Sequence, residues 1–237
     1  MNIRLHAILF PILFAVSSVN ASGDNPPCRL VDTPTAGCLA ARQHLLESHL
    51  FDGGGMNQHA LFGVNDRLTV GLSYGGSNLI GSEQADWQPH TGFNIRVRLI
   101  EESMNGPALS LGFDSQGEGP YLRGRDLRRF RYKSRGVYVV LSRNYRFWGN
   151  LGVHGGVNYS LETADDDIDP SFWAGFDKSL GKQIYMFCEY DFALNDGRPH
   201  SMVADRGYLN TAIKWRFGKG FCLEFDLRNI LFSGRKN

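Results

Sequence analysis

The sequence predicts an all-β chain, folded as an up-and-down antiparallel transmembrane β-barrel of about 10–12 strands. Three observations predict it. Apolar and polar side chains alternate with a period of two through most of the chain after Gln58. Several alternating runs reach about ten to twelve residues, where strands of soluble sheets usually have about five or six. A tilted strand needs about nine to eleven residues to cross a membrane. Short turns and long loops alternate along the chain, as the two rims of such a barrel require.

The first residues bear on export. A positive start, Met1 to Arg4, precedes an apolar run from Ala7 to Val19 and the small-x-small triplet Val19-Asn20-Ala21. That order predicts a secretory leader over residues 1–21, cleaved on export and outside the fold. The run is too short to span a bilayer as a helix. Residues 22–38 read as an irregular segment, and the barrel is expected over 39–237. An oxidising compartment would allow Cys28 and Cys38, both in the irregular segment, to form a disulfide. Asn25-Pro26-Pro27 lacks the small and aliphatic residues that lipidation of Cys28 needs. Cys188 and Cys222 fall on opposite faces of their strands. No cysteine has C-x-x-C spacing, so neither a metal nor a cofactor is expected.

Ten strands are legible, the last over Phe221 to Ile230, with a weaker candidate between Cys38 and Phe51. Leu151, Val153, Val157, Tyr159 and Leu161 share one face, with Gly152, His154, Gly156, Asn158 and Ser160 on the other. Leu209, Thr211, Ile213, Trp215 and Phe217 oppose Tyr208, Asn210, Ala212, Lys214 and Arg216. Tyr132 to Asn144 is ambiguous, because Val137 to Leu141 is apolar throughout. Phe147-Trp148, Phe172-Trp173, Trp215, Phe217 and Phe221 lie near strand ends, where barrels carry aromatic girdles. Tight turns are expected at Asn65-Asp66, 101–106, 146–149, Gly181-Lys182 and 218–220. Long loops are expected at 75–90, 115–130, 162–169 and 193–205.

With the apolar face toward lipid, the other face lines a lumen. Its expected residues are Arg96, Arg98, His154, Asn158, Asp177, Glu189, Asp191, Lys214, Arg216, Glu224, Asp226 and Arg228. Their mixed signs suit an internal charge ladder, with Lys214 opposite Glu224 across the last turn, worth roughly 0.2–1 kcal/mol. A barrel of about ten strands is only slightly wider than an eight-stranded one that side chains fill, so a filled interior is favoured over a solute path. Arg123, Arg125, Arg128 and Arg129 form a basic loop cluster, a candidate for contact with anionic lipopolysaccharide or polysaccharide, although a solvated loop is the commoner role of such a run. The acidic run Asp165-Asp166-Asp167 with Asp169 lacks the glycine and ligand spacing of a calcium loop and reads as a solvated surface loop. A barrel hydrolase needs Ser and His within hydrogen-bond reach. His154 and Ser160 are roughly 20 Å apart along a strand, and His200-Ser201 falls in a loop, so no catalytic residue is assigned. A net charge of +1 gives no basic surplus for nucleic acid. The mean hydropathy of −0.27 suits strands whose two faces average out.

Four segments carry a resemblance: Pro34-Thr35-Ala36-Gly37, Gly75-Gly76-Ser77-Asn78-Leu79-Ile80-Gly81, Leu111-Gly112-Phe113-Asp114-Ser115-Gln116-Gly117 and Glu189-Tyr190-Asp191-Phe192-Ala193-Leu194-Asn195. Together they resemble the YjbH-like outer-membrane barrel proteins, over most of the chain after the leader. Full-length members are much longer, so this chain resembles one barrel unit. The resemblance implies a part in exopolysaccharide production or export and transfers no catalytic residue. The sequence thus leads to the expectation of a non-enzymatic protein in the outer membrane of a Gram-negative-type bacterium. Its expected partners are outer-membrane lipid and polysaccharide or envelope secretion proteins, and no nucleic acid. A small solute channel and a lipid-modifying barrel enzyme are the alternatives.

Overall fold

A computed structural model describes residues 26–124, 127–196, 207–217 and 220–231, and the backbone alone of 13–19. The strands are β1 (Leu13–Val19), β2 (His44–Phe51), β3 (Gly55–Asn65), β4 (Leu68–Ser77), β5 (Asp86–Trp87), β6 (Gly92–Ile100), β7 (Ala108–Asp114) and β8 (Glu118–Gly124). They continue as β9 (Leu127–Tyr132), β10 (Gly136–Arg146), β11 (Asn150–Tyr159), β12 (Ser171–Ser179), β13 (Ile184–Asp191), β14 (Tyr208–Phe217) and β15 (Phe221–Leu227). One short 3-10 turn, Leu194–Asp196, is the only helical element among the described residues.

All pairings are antiparallel, and the sheet order is β3-β2-β1-β15-β14-β13-β12-β11-β10-β7-β6-β4-β5, with β3 also paired to β4. Apart from the two-residue β5, every strand of this sheet therefore has a neighbour on both sides. The strands legible in the sequence are β3, β4, β6, β7 and β10 to β15, and the weaker candidate is β2. Two additions lie inside long loops: β5, and the separate β8–β9 hairpin. The third addition, β1, lies within the expected leader and is hydrogen-bonded between β15 and β2.

Burial follows the alternation. On β10, Tyr138, Val140 and Ser142 are buried while Val137, Val139 and Leu141 are exposed. On β15, Cys222, Glu224 and Asp226 are buried while Phe221, Phe225 and Leu227 are exposed. The buried face is the polar one over most of the sheet: Glu47, His49, Arg96, Asp177 and Glu189 point in, while Leu72, Phe93, Leu111, Val153 and Ile213 point out. A soluble sheet packs the opposite way. Exposed rings form two groups. Phe147, Trp148, Phe217 and Phe221 lie by the short turns, and Tyr74, Trp87, Tyr159, Phe172 and Phe192 lie toward the long loops. Trp173 is a correction to the expected girdle, because it is buried and turned inward.

Candidate functional site

Pro26 to Gln43, between β1 and β2, forms no strand and runs through the interior of the sheet. Pro26, Pro27 and Pro34 remove backbone donors and disfavour both helix and ladder. The segment instead turns on itself, with Leu30 N–H donating to Thr33 O at 2.9 Å and Thr35 N–H to Cys28 O at 3.1 Å. Leu30, Val31, Thr33 and Thr35 have no solvent exposure. Pro34-Thr35-Ala36-Gly37, expected to lead into a strand, is thus the centre of an inner plug. Cys28 and Cys38, which the sequence allowed to be joined, are separate buried thiols.

The wall holds this segment through its polar side chains. Glu189 of β13 accepts from the N–H groups of Val31 at 3.0 Å, Asp32 at 2.9 Å and Thr33 at 3.0 Å, and from the Thr33 hydroxyl at 2.7 Å. Successive N–H groups converging on one anion form a nest, and such charge-assisted bonds are about twice as strong as neutral ones. Arg96 of β6 donates to the carbonyls of Cys28 at 2.5 Å and Gly37 at 2.8 Å and to Tyr138 Oη at 2.9 Å. Trp173 Nε1–H reaches Pro34 O at 3.3 Å, and Ser110 Oγ–H reaches Ala36 O at 3.0 Å. Arg228 pairs with Asp32 at 2.8 Å. Burial pushes the Asp32 carboxyl up to about 7 against the pull of Arg228. Two inward glycines make room for the packing. A Cβ on Gly175 would lie 2.5 Å from Leu30 Cδ1, and one on Gly156 would lie 2.3 Å from the Trp173 ring.

A Ser-His-Asp chain underlies the plug. The β10–β11 register sets Ser142 opposite His154, and the β11–β12 register places Asp177 on the neighbouring diagonal. Ser142 Oγ is 2.7 Å from His154 Nδ1, and His154 Nε2 is 2.8 Å from Asp177 Oδ1. With the carboxylate accepting from Nε2–H, neutral His154 accepts the Ser142 proton at Nδ1. These are the nucleophile, base and orienting group of hydrolytic triads. The sequence reading weighed His154 with Ser160 and set them aside as too far apart; Ser160 accepts from Glu162 N–H at 3.2 Å. His200 and Ser201 lie outside the described residues. Ser142 Oγ, however, already accepts the Ala36 N–H at 2.8 Å, and the side chain is buried. The chain from Ala36 to Asp177 is therefore complete as a structural tie.

The other expected inner residues fall on the same side of the sheet. Lys214 meets Glu224 at 2.6 Å, Asp191 pairs with Arg135, and Asn158 Nδ2 donates to Arg135 O at 3.0 Å. Asp226 lies 3.6 Å from Arg228. Arg98 and Arg216 are only half-buried, and Arg98 reaches Asp66 O at 2.6 Å near a short turn.

The loop expectations need two corrections. Asp165 and Asp167 are buried, not solvated: Asp165 bonds Lys133 at 2.8 Å and Arg129 at 3.2 Å. The basic cluster is dispersed. Arg129 is fully buried between Asp165 and Asp196, Arg123 pairs with Asp86 at 3.1 Å, Arg128 is exposed, and Arg125 lies outside the described residues. Burial pushes Asp196 up to about 6, with Arg129 drawing it back down. A polar cavity of about 20 Å³, enough for a water, lies under this layer between Asp32, Lys133, Arg135, Asp191 and Asn210. Inward folding of the acidic loop was invisible in the sequence because its cationic partners stand 32 to 36 positions away.

No family model matches the chain, and no curated protein is similar to it.

Proposed function

We propose that the protein is an outer-membrane β-barrel, of twelve strands while β1 is in place and eleven once the leader is cleaved, whose lumen is sealed by the segment from Pro26 to Gln43. In this reading it acts as a non-enzymatic envelope component through its loops. The observation that carries it is the inverted burial: large apolar side chains face out on strand after strand while carboxylates, arginines and histidines face in. In water that arrangement exposes an apolar surface far beyond what soluble monomers tolerate, whereas in lipid it is the required one. The two-sided pairing of every long strand supports closure, since a sheet edge in hydrocarbon leaves backbone groups unsatisfied. The two groups of exposed rings suit the two membrane interfaces.

The plug argues against free passage of solute through the lumen, and it also covers Ser142. The resemblance to YjbH-like proteins supports a part in exopolysaccharide production or export. With the lumen filled, that part is carried by the loops and their contacts with secretion proteins or polysaccharide. Two measurements test the reading. Outer-membrane fractions run unboiled and boiled should show the mobility shift of a folded barrel, and recovery as a soluble periplasmic protein would sink the membrane assignment. Deletion of the gene should lower secreted polysaccharide, and unchanged yield would remove that role.

A further inference from the structure

At the β2–β3 ladder the register pairs Glu47 with His59 and places His49 two residues farther along β2. The rings of His49 and His59 lie 4.8 Å apart, centre to centre. Glu118, the first residue of β8, is brought over them by the hairpin. One ligand atom from each of His49, His59 and Glu118 lies within 4.8 Å of the other two. His49 is 1% exposed and Glu118 is 8% exposed. Two imidazoles and a carboxylate on separate elements, with His59 half-buried and the other two buried, form the donor set of zinc and related ions.

Two further observations point to a cation. His59 Nε2 is shut off from solvent and has no hydrogen-bond partner, and Glu118 Oε2, also without a hydrogen bond, faces Arg228 at 3.5 Å. Leaving a buried polar atom unpaired costs about 1–3 kcal/mol, and coordination would satisfy His59. The surrounding charges are also unbalanced. Arg29, Lys214 and Arg228 face the carboxylates of Glu47, Glu118, Glu224, Asp226 and Asp32. Among the described residues five carboxylates face three cations here, an excess that protonation of Asp32, pushed up to about 7 by burial, relieves in part and a bound cation would relieve further.

Arg29 of the plug stands at the same spot. Its Nη2 contacts both ring nitrogens of His49, Nδ1 at 2.8 Å and Nε2 more closely, its Nη1 is 3.4 Å from Glu118, and its Nε is 3.5 Å from Glu47. The guanidinium fills part of the place of a cation but leaves His59 unserved. We propose that His49, His59 and Glu118 bind a divalent first-row transition metal, and that Arg29 competes with it for His49. On binding, Arg29 turns from His49 toward Glu47 and stays in the cluster. The metal would fasten the β8–β9 hairpin to β2 and β3 while loosening one contact of the plug. This inference does not depend on which solvent the outer face meets.

The test uses untagged, chelator-treated full-length protein in detergent, titrated with Co²⁺ by visible absorption and with Zn²⁺ by calorimetry. The wild type should bind one ion with the visible bands of nitrogen-ligated cobalt. His49→Ala and His59→Ala should each weaken binding at least about tenfold, the loss that even outer-shell partners cause. Arg29→Gln should tighten it. An unboiled gel checks that each variant is folded. No cobalt bands in the wild type, full binding in the His49→Ala/His59→Ala double variant, or binding confined to Arg29→Gln would each overturn the proposal.

Discussion

Glu189 and Thr33 stand 156 positions apart, yet the Glu189 carboxylate accepts both the backbone N–H of Thr33 at 3.0 Å and its hydroxyl at 2.7 Å. Glu189 is also fully buried. It joins the middle of the inner segment to β13 of the sheet, and the adjacent N–H groups of Val31 and Asp32 donate to the same carboxylate. Replacing it removes the only charge that this turn of backbone surrounds. Glu189→Ala should destabilise the plugged state by several kcal/mol, since each buried donor left unpaired costs about 1–3 kcal/mol. In planar bilayers the wild type should be silent and the variant should show discrete conductance steps. A silent variant that also resists proteolysis around residues 26–40 would show that the other ties suffice.

Ser142 gives the enzyme alternative a direct test. Its oxygen accepts the Ala36 N–H and its hydroxyl faces His154 Nδ1, and the buried side chain leaves a probe no open approach. Fluorophosphonate probes should fail to label the folded protein. Ser142→Ala should lower stability by about 1–3 kcal/mol by leaving the Ala36 N–H unpaired. Labelling that disappears in Ser142→Ala would instead make the triad catalytic.

The same residues show how far the sequence could be read. Period-two alternation was enough to place Arg96, His154, Glu189, Glu224 and Asp226 on one face, because each belongs to a strand with an apolar opposite face. It failed at Val137 to Leu141, and the reason is physical. Tyr138 and Val140 point inward yet are apolar because they pack with Ala36 and Trp173 under the plug. That apolar patch hid the alternation, and with it the inward position of Ser142. The plug itself has no period, and its partners lie on strands up to 178 positions away. The site at His49, His59 and Glu118 was missed for a related reason. The two histidines are legible only if β2 is placed in register with β3, and Glu118 arrives from a hairpin inside a loop.

Val139, exposed in the middle of β10, separates the lipid-facing reading from a soluble one. Val139→Arg should cost about 2–4 kcal/mol if this position meets the bilayer midplane. Tyr145, on the same outward face near the end of β10, provides the contrast: Tyr145→Arg should cost only about 0–1 kcal/mol, because the penalty falls toward the interface. Folding yield into vesicles should fall for the first and change little for the second. Equal tolerance of arginine would mean that the outer face meets water.

The seam at β1 leads to the last prediction. The leader read from residues 1–21 includes all of β1, whose two neighbours, β15 and β2, are both antiparallel to it and so parallel to each other. Cleavage would remove the strand that separates them. In hydrocarbon neither edge can stay unpaired, so β2 and β15 must then meet directly, leaving eleven strands and one parallel pair. Ser48 and Leu223 report the difference, because both oppose Val16 across the seam. With β1 in place they lie two strand spacings apart, about 9–10 Å, beyond the Cα separation of about 4.4–6.8 Å that a disulfide spans. After cleavage they become neighbours. Ser48→Cys with Leu223→Cys, in a chain whose native cysteines are alanine, should therefore cross-link in the processed protein. Intact mass should show the loss of residues 1–21 in the same sample. An uncross-linked pair in a chain of full mass would mean that β1 stays as the twelfth strand and is not removed with an export signal.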